Sequence, residues 1–227
     1  MNNNSVKIGF VSLGCPKNQL DTEVMLHELI TAGYEITAEE IEADIIIINT
    51  CAFIESAKKE AIDNILDIAW LKKNSTLKGI IVTGCLAERY RDDVLSEFPE
   101  VDAVLGVGSI HDIVEAVDSV KNNKIYKSFK SVDKLKLGGD RVVISPKYSV
   151  YLKVSEGCDN CCTYCAIPLI RGGMRSRVMD DIIAEAKNLV SLGAKEIILI
   201  AQDTTGYGMD IYGEYKLAEL IRAITDN

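Results

Sequence analysis

Apolar residues in the first half of the chain fall into short continuous runs separated by amphipathic segments. Lys7–Leu13 (K-I-G-F-V-S-L), Ala43–Asn49 (A-D-I-I-I-I-N), Leu77–Thr83 (L-K-G-I-I-V-T) and the shorter Ala103–Leu105 are predicted strands, too brief for helices and rich in β-branched residues. Between them, Asp21–Ala32, Glu55–Leu71, Ala87–Phe98 and Ile110–Val120 are predicted helices. Ala57, Ala61, Ile65 and Ile68 mark one apolar face, and Gly33 is a stop. Strands apolar on both faces, alternating with helices, predict an α/β domain built on a parallel sheet covered on both sides.

The pattern changes after Val120. Residues 121–140 lose periodicity and gain lysines (Lys121, Lys124, Lys127, Lys130, Lys134, Lys136) before Gly138-Gly139, and are read as a solvated linker. This divides the chain into a domain at 1–120, a linker at 121–140 and a second domain at 141–227. In the second, Arg141–Ile144 is a predicted short strand and Tyr148–Ser155 a longer alternating one. Asp180–Leu192 is a helix closed by Gly193, Glu196–Ala201 a strand, and Tyr215–Thr225 the start of another helix.

Composition narrows the function classes. With 227 residues and 48% hydrophobic content, the chain has ample material for one or two cores. A net charge of −9 argues against broad nucleic-acid binding. No apolar run approaches the length of a membrane span, and Met1–Lys7 lacks the layout of a signal peptide. Seven cysteines without an export signal imply a reducing cytoplasm, where clustered thiols mean metal or redox chemistry.

Four of those cysteines lie within C-D-N-C-C-T-Y-C, Cys158 to Cys165. Cys158, Cys162 and Cys165 form the spacing C-x3-C-x2-C, which lets three thiolates converge on one iron–sulfur cube and leaves one iron open. The rival is a structural zinc knuckle that adds Cys161. The adjacency of Cys161 and Cys162 weakens it, and neither histidine, His27 or His111, lies nearby. Cys161 is read as a spare thiol. Cys15, Cys51 and Cys85 each lie just past the carboxyl end of a predicted strand, in L-G-C-P-K-N, N-T-C-A-F-I and T-G-C-L-A-E-R-Y. In open α/β sheets these ends share one edge, where ligands bind. One cysteine there would be packing; three at equivalent positions predict a second iron–sulfur cluster. Phosphate or flavin binding by a flavodoxin-like domain is the weaker alternative, since no glycine-rich phosphate motif follows any strand.

These motifs, with G-C-D-N-C-C-T-Y-C-A-I-P-L-I-R-G-G-M-R-S-R, resemble the methylthiotransferases of the radical S-adenosylmethionine (SAM) superfamily over essentially the whole chain. The resemblance implies a flavodoxin-like N-terminal domain holding an auxiliary [4Fe-4S] cluster through Cys15, Cys51 and Cys85. The first βα units of a partial (β/α) barrel would follow, with Cys158, Cys162 and Cys165 holding a second [4Fe-4S] cluster. In that superfamily the open iron chelates SAM, and one electron from a donor cleaves it to a 5′-deoxyadenosyl radical. Tyr164, Gln202 and Asp203 fall where SAM contacts are implied, with loop capping by Asp203 the plain alternative. Pro168, Arg171, Arg175 and Arg177 would shape the loop or meet an acidic target, or form salt bridges within the fold.

Two branches differ in substrate. Pro16-Lys17-Asn18, Ala166-Ile167-Pro168 and Ala201-Gln202-Asp203-Thr204-Thr205 resemble the branch that methylthiolates the β-carbon of one aspartate in small-subunit ribosomal protein S-twelve. The alternative branch modifies a tRNA adenosine. A non-catalytic zinc or iron–sulfur module is the rival from another class. Family members continue through further βα units and a substrate-engaging TRAM domain, and a whole barrel takes about 200 residues or more. The chain to Asn227 is therefore read as a fragment, with an inactive remnant the alternative, that binds its cluster without completing the reaction.

Overall fold

A computed structural model describes residues 6–226, so the reading of the first five residues lies outside it. The chain forms two compact units, 1–134 and 135–227. No helix among the described residues is long and apolar enough to cross a membrane.

The first unit is a six-stranded sheet, parallel throughout. Its strands are β1 (Lys7–Ser12), β2 (Glu35–Thr37), β3 (Ile45–Thr50), β4 (Gly79–Gly84), β5 (Ala103–Leu105) and β6 (Tyr126–Ser128), in the order β2-β1-β3-β4-β5-β6. That is the flavodoxin-like order extended by one strand, and its direction reverses between β1 and β3. All six residues of β3 and of β4 are buried, as continuous apolar runs require when both faces are covered. The connecting helices are α1 (Pro16–Thr31), α2 (Glu55–Asn74), α3 (Cys85–Tyr90), α4 (Asp92–Glu97) and α5 (Ile113–Lys121).

Several expectations need correction. Helix α1 begins at Pro16, five residues before the predicted start. Proline suits the first turn because its missing N–H would have no partner there. The single helix expected over Ala87–Phe98 is two, broken at Arg91, whose φ of 42° is incompatible with a continuous helix. Residues Val107–Asp112 form a 3-10 turn ahead of α5 rather than its first turns. The largest change concerns the lysine-rich segment. Residues 121–134 belong to the first unit, because Tyr126–Ser128 pairs in parallel with β5 as the outermost strand. Its lysines face outward, and Lys127 meets Asp92 at 2.8 Å.

The second unit opens on a parallel pair, β7 (Ser149–Lys153) and β10 (Glu196–Ile200). Helix α7 (Met179–Ser191) connects them, and α9 (Leu217–Thr225) follows. Its core gathers Val150, Leu152, Ile182, Leu189, Leu220 and the fully buried Tyr207, whose hydroxyl donates to the Arg177 carbonyl at 3.0 Å. A short antiparallel pair, β8 (Ser155–Glu156) with β9 (Arg175–Ser176), flanks α6 (Ile167–Arg171), and α8 (Met209–Tyr212) is a single turn. Arg141–Ile144 is not a strand. The Arg141 side chain reaches the Glu185 carboxylate at 2.8 Å and the Tyr151 carbonyl at 2.7 Å.

Candidate iron–sulfur and SAM sites

In the first unit, Cys15, Cys51 and Cys85 stand at the carboxyl ends of β1, β3 and β4, three adjacent strands. Cys15 and Cys51 flank the point where the strand order reverses, the position at which open parallel sheets bind ligands. Cys15 caps α1 and Cys85 opens α3; Cys51 and Cys85 are buried and Cys15 is half-buried. The turns touch. A Cβ built on Gly14, whose φ is +90°, would lie 2.7 Å from the Cys51 Cβ. One on Gly84, also at +90°, would lie 2.3 Å from Asn49 Oδ1 and 2.5 Å from the Thr50 carbonyl. Only glycine permits that approach at that backbone angle.

Two amides lace this edge. Asn18, with no exposed surface, donates to the Leu13 carbonyl at 3.2 Å and the Thr50 carbonyl at 2.7 Å, and its Oδ1 lies 3.5 Å from Cys85 Sγ. Asn49 donates to the Asn18 carbonyl at 2.8 Å and to Thr22 Oγ1 at 2.9 Å. Sequence reasoning passed over both. The signal was there in Asn49-Thr50, polar residues closing the apolar run I-I-I-I, since buried amides have to be satisfied.

In the second unit, the loop from Cys158 to Cys165 leaves the end of β8. Cys165 N–H donates to the Cys162 carbonyl at 3.0 Å, closing a turn that carries both thiols of the C-x-x-C pair. Cys161 sits at a φ of +49° and is exposed, as is Cys162; Cys158 and Cys165 are half-buried. The loop is braced from three sides. Cys158 N–H donates to the Gly172 carbonyl at 3.2 Å, Asp159 accepts the Met174 N–H at 2.9 Å, and Asn160 donates to Asp203 at 2.9 Å. Gly157, at a φ of +78°, brings its backbone against Gly172 and Gly173, where a Cβ would meet the Gly173 carbonyl oxygen at 2.0 Å.

Beneath the loop lies a buried ionic group that the sequence reading missed. Glu156 has no exposed surface; Lys153 Nζ lies 2.8 Å from its carboxylate and Arg171 Nη1 3.5 Å away. Burial by itself would raise the Glu156 carboxyl, but the charges of Lys153 and Arg171 outweigh it and hold the group down at about 2. Gln202 donates to this carboxylate through Nε2 and accepts the Gly157 N–H through Oε1 at 2.9 Å. Asp203 accepts from Asn160 and from the Thr205 N–H and hydroxyl; those bonds, that of Thr205 foremost, hold its carboxyl below the usual range. Gln202 and Asp203 thus brace the loop, and Asp203 caps the turn at Thr205. Tyr164 projects from the loop and is 88% exposed. The arginines turn inward: Arg171 meets Glu156, Arg177 meets Glu185 at 2.6 Å, and Arg175 donates to the Leu135 carbonyl at 3.3 Å.

Among the described residues, no three His, Cys, Asp or Glu side chains stand close enough to chelate a single metal ion. An iron–sulfur cube is wider than one ion and takes its thiolates from further apart. The chemistry of both donor sets fits it: three thiols on neighbouring strand-end turns, and three on one braced loop.

Residues 7–106 match the family model described as "Uncharacterized protein family UPF0004", and residues 152–226 match the radical SAM superfamily. A relative from Lachnoclostridium phytofermentans, named ribosomal protein uS12 methylthiotransferase RimO, is 52% identical over 96% of this chain and 50% of its own length. One from Acetivibrio thermocellus with the same name is 49% identical over the same shares. The chain is similar, over nearly its whole length, to proteins named methylthiotransferases. It spans about half the length of the curated relatives it matches. Among solved structures, the radical SAM methyltransferase TsrM from Kitasatospora setae covers 98% of this chain with 51% of its own, at a TM-score of 0.62 and 10% identity, a likeness of fold alone.

Proposed function

We propose that the protein of which this chain forms part is a methylthiotransferase that modifies the β-carbon of an aspartate in ribosomal protein uS12. The observation that carries the reading is the pair of three-cysteine sets, one at the switch point of the parallel sheet and one on the braced loop. Their sequence setting is about half identical to relatives bearing that name. Cys15, Cys51 and Cys85 would hold an auxiliary [4Fe-4S] cluster, and Cys158, Cys162 and Cys165 the cluster that meets SAM. When bound, these groups supply a transferable sulfur and a radical able to break an unactivated C–H bond, for which side-chain acids and bases have no route. The chain's own residues hold the thiols in place. Asn18 and Asn49 fix the strand-end turns, and Glu156 with Gln202 fixes the start of the loop. Tyr164 offers an exposed ring for the SAM adenine, and Gln202 and Asp203 stand at the end of β10 beside the same loop. Uptake of an electron from a cytoplasmic donor completes the reading.

Two measurements test it. Anaerobic reconstitution of the chain is expected to give about eight irons with matching sulfide, and about four once Cys158, Cys162 and Cys165 are changed to alanine. Bound zinc without sulfide overturns the enzyme reading. The substrate is tested with a chimera in which residues 1–227 replace the matching half of the Lachnoclostridium phytofermentans relative, given SAM with either small ribosomal subunits or tRNA. A methylthio mark on uS12 supports the proposal, and a mark on tRNA alone defeats it.

A further inference from the structure

The geometry points to Asn18 as the positioning residue of the auxiliary cluster, setting the spacing of the three cysteine turns through one buried amide; this rests on the cluster reading above. Asn18 reaches all three turns. Its Nδ2 donates to the Leu13 carbonyl, two residues before Cys15, and to the Thr50 carbonyl, one residue before Cys51. Its Oδ1 lies 3.5 Å from Cys85 Sγ itself.

The orientation of the amide is fixed by chemistry. Carbonyl oxygens only accept, so both N–H groups face Leu13 and Thr50, and the amide oxygen is left facing Cys85. The residue cannot drift either. Asn49 holds its backbone carbonyl at 2.8 Å, and the side chain has no exposed surface. An amide so placed does two things for a ligand held by the three sulfurs. It keeps two loop carbonyls at a set separation, and it places a partial negative charge beside one ligating sulfur. Polar contacts to cluster sulfurs set the reduction potential, and groups that orient ligands weigh heavily on affinity.

The test uses the full chain with Cys158, Cys162 and Cys165 changed to alanine, so that any iron reports the amino-terminal site alone. The parent must first hold about four irons; if it holds none, the auxiliary-cluster reading falls and this inference with it. Given a loaded parent, Asn18→Ala is expected to lose iron to a chelator about tenfold or more readily. Asn18→Asp is nearly isosteric and carries the test if the alanine variant fails to fold. It removes both N–H donors and puts a full negative charge beside Cys85. It is expected to hold iron less well and to lower the midpoint of cluster reduction, a shift that a purely structural role would not produce. Parent-like iron retention, spectrum and midpoint in both variants, or in Asn18→Asp alone where the alanine variant does not fold, would overturn the inference.

Discussion

Glu156 accepts a hydrogen bond from the side-chain amide of Gln202, a residue 46 positions later that also takes the Gly157 N–H at 2.9 Å. A carboxylate can only accept, so Glu156 dictates which end of the Gln202 amide faces the cysteine loop. Glu156→Gln removes the charge facing Lys153 and Arg171 and frees that amide to turn. The expected cost is about 3–5 kcal/mol, read from urea unfolding, with faster amide exchange across residues 157–165. Unchanged exchange there would remove Glu156 as the support of the loop.

Cys161 sits at a φ of +49° and is exposed, next in sequence to the ligand candidate Cys162. Cys161→Ser is expected to leave iron and sulfide content as in the parent. A loss of about four irons on this change alone would make Cys161 a cluster ligand and end its reading as a spare thiol.

Gly84 holds β4 against the Asn49-Thr50 turn at a backbone angle that suits glycine. Gly84→Ala would drive a methyl into the Thr50 backbone and the Asn49 side chain. A loss of at least about 2 kcal/mol is expected, seen as a lower urea midpoint, together with weaker iron retention at the amino-terminal site.

Asp44, at the opposite end of the sheet, offers a pH test clear of the cysteines. Burial acts to raise its carboxyl. The Lys78 ammonium at 2.8 Å and the Lys7 N–H at 2.9 Å outweigh burial and hold it below the usual 3.8. A carboxyl lowered on folding contributes stability that is complete above its unfolded value and is lost as pH falls through the folded one. The gap in urea midpoint between the cluster-free protein and its Asp44→Asn variant should therefore hold at neutral pH and close below about 3.8. A gap independent of pH would show that the charge is not what matters.

The architecture was legible because its signals are local. Four apolar runs gave four of the six parallel strands, and three cysteines just past those runs had to share an edge once the sheet was parallel. Strands β2 and β6 escaped because each is three residues long and at an edge, where Glu35 and Lys127 face outward and no apolar run forms. The break at Arg91 carries no glycine or proline to announce it; the Arg91 side chain meets Glu88 at 2.8 Å and lies over the Phe129 ring. The site's supports were hidden for another reason. Asn18 with Thr50, and Glu156 with Gln202, are pairs 32 and 46 residues apart, and only the folded chain brings such partners together.

The pairing of Tyr126–Ser128 with β5 bears on how the first unit can be handled alone. Cutting after Val120, where the lysine-rich stretch begins, would strip away β6 and bare the backbone edge of Ala103–Leu105, three apolar residues with no exposed surface in the fold. Such an edge recruits strands from neighbouring molecules. A piece ending at Lys134 keeps its outermost strand, with Lys127 as a charge against stacking; one ending at Val120 should clump.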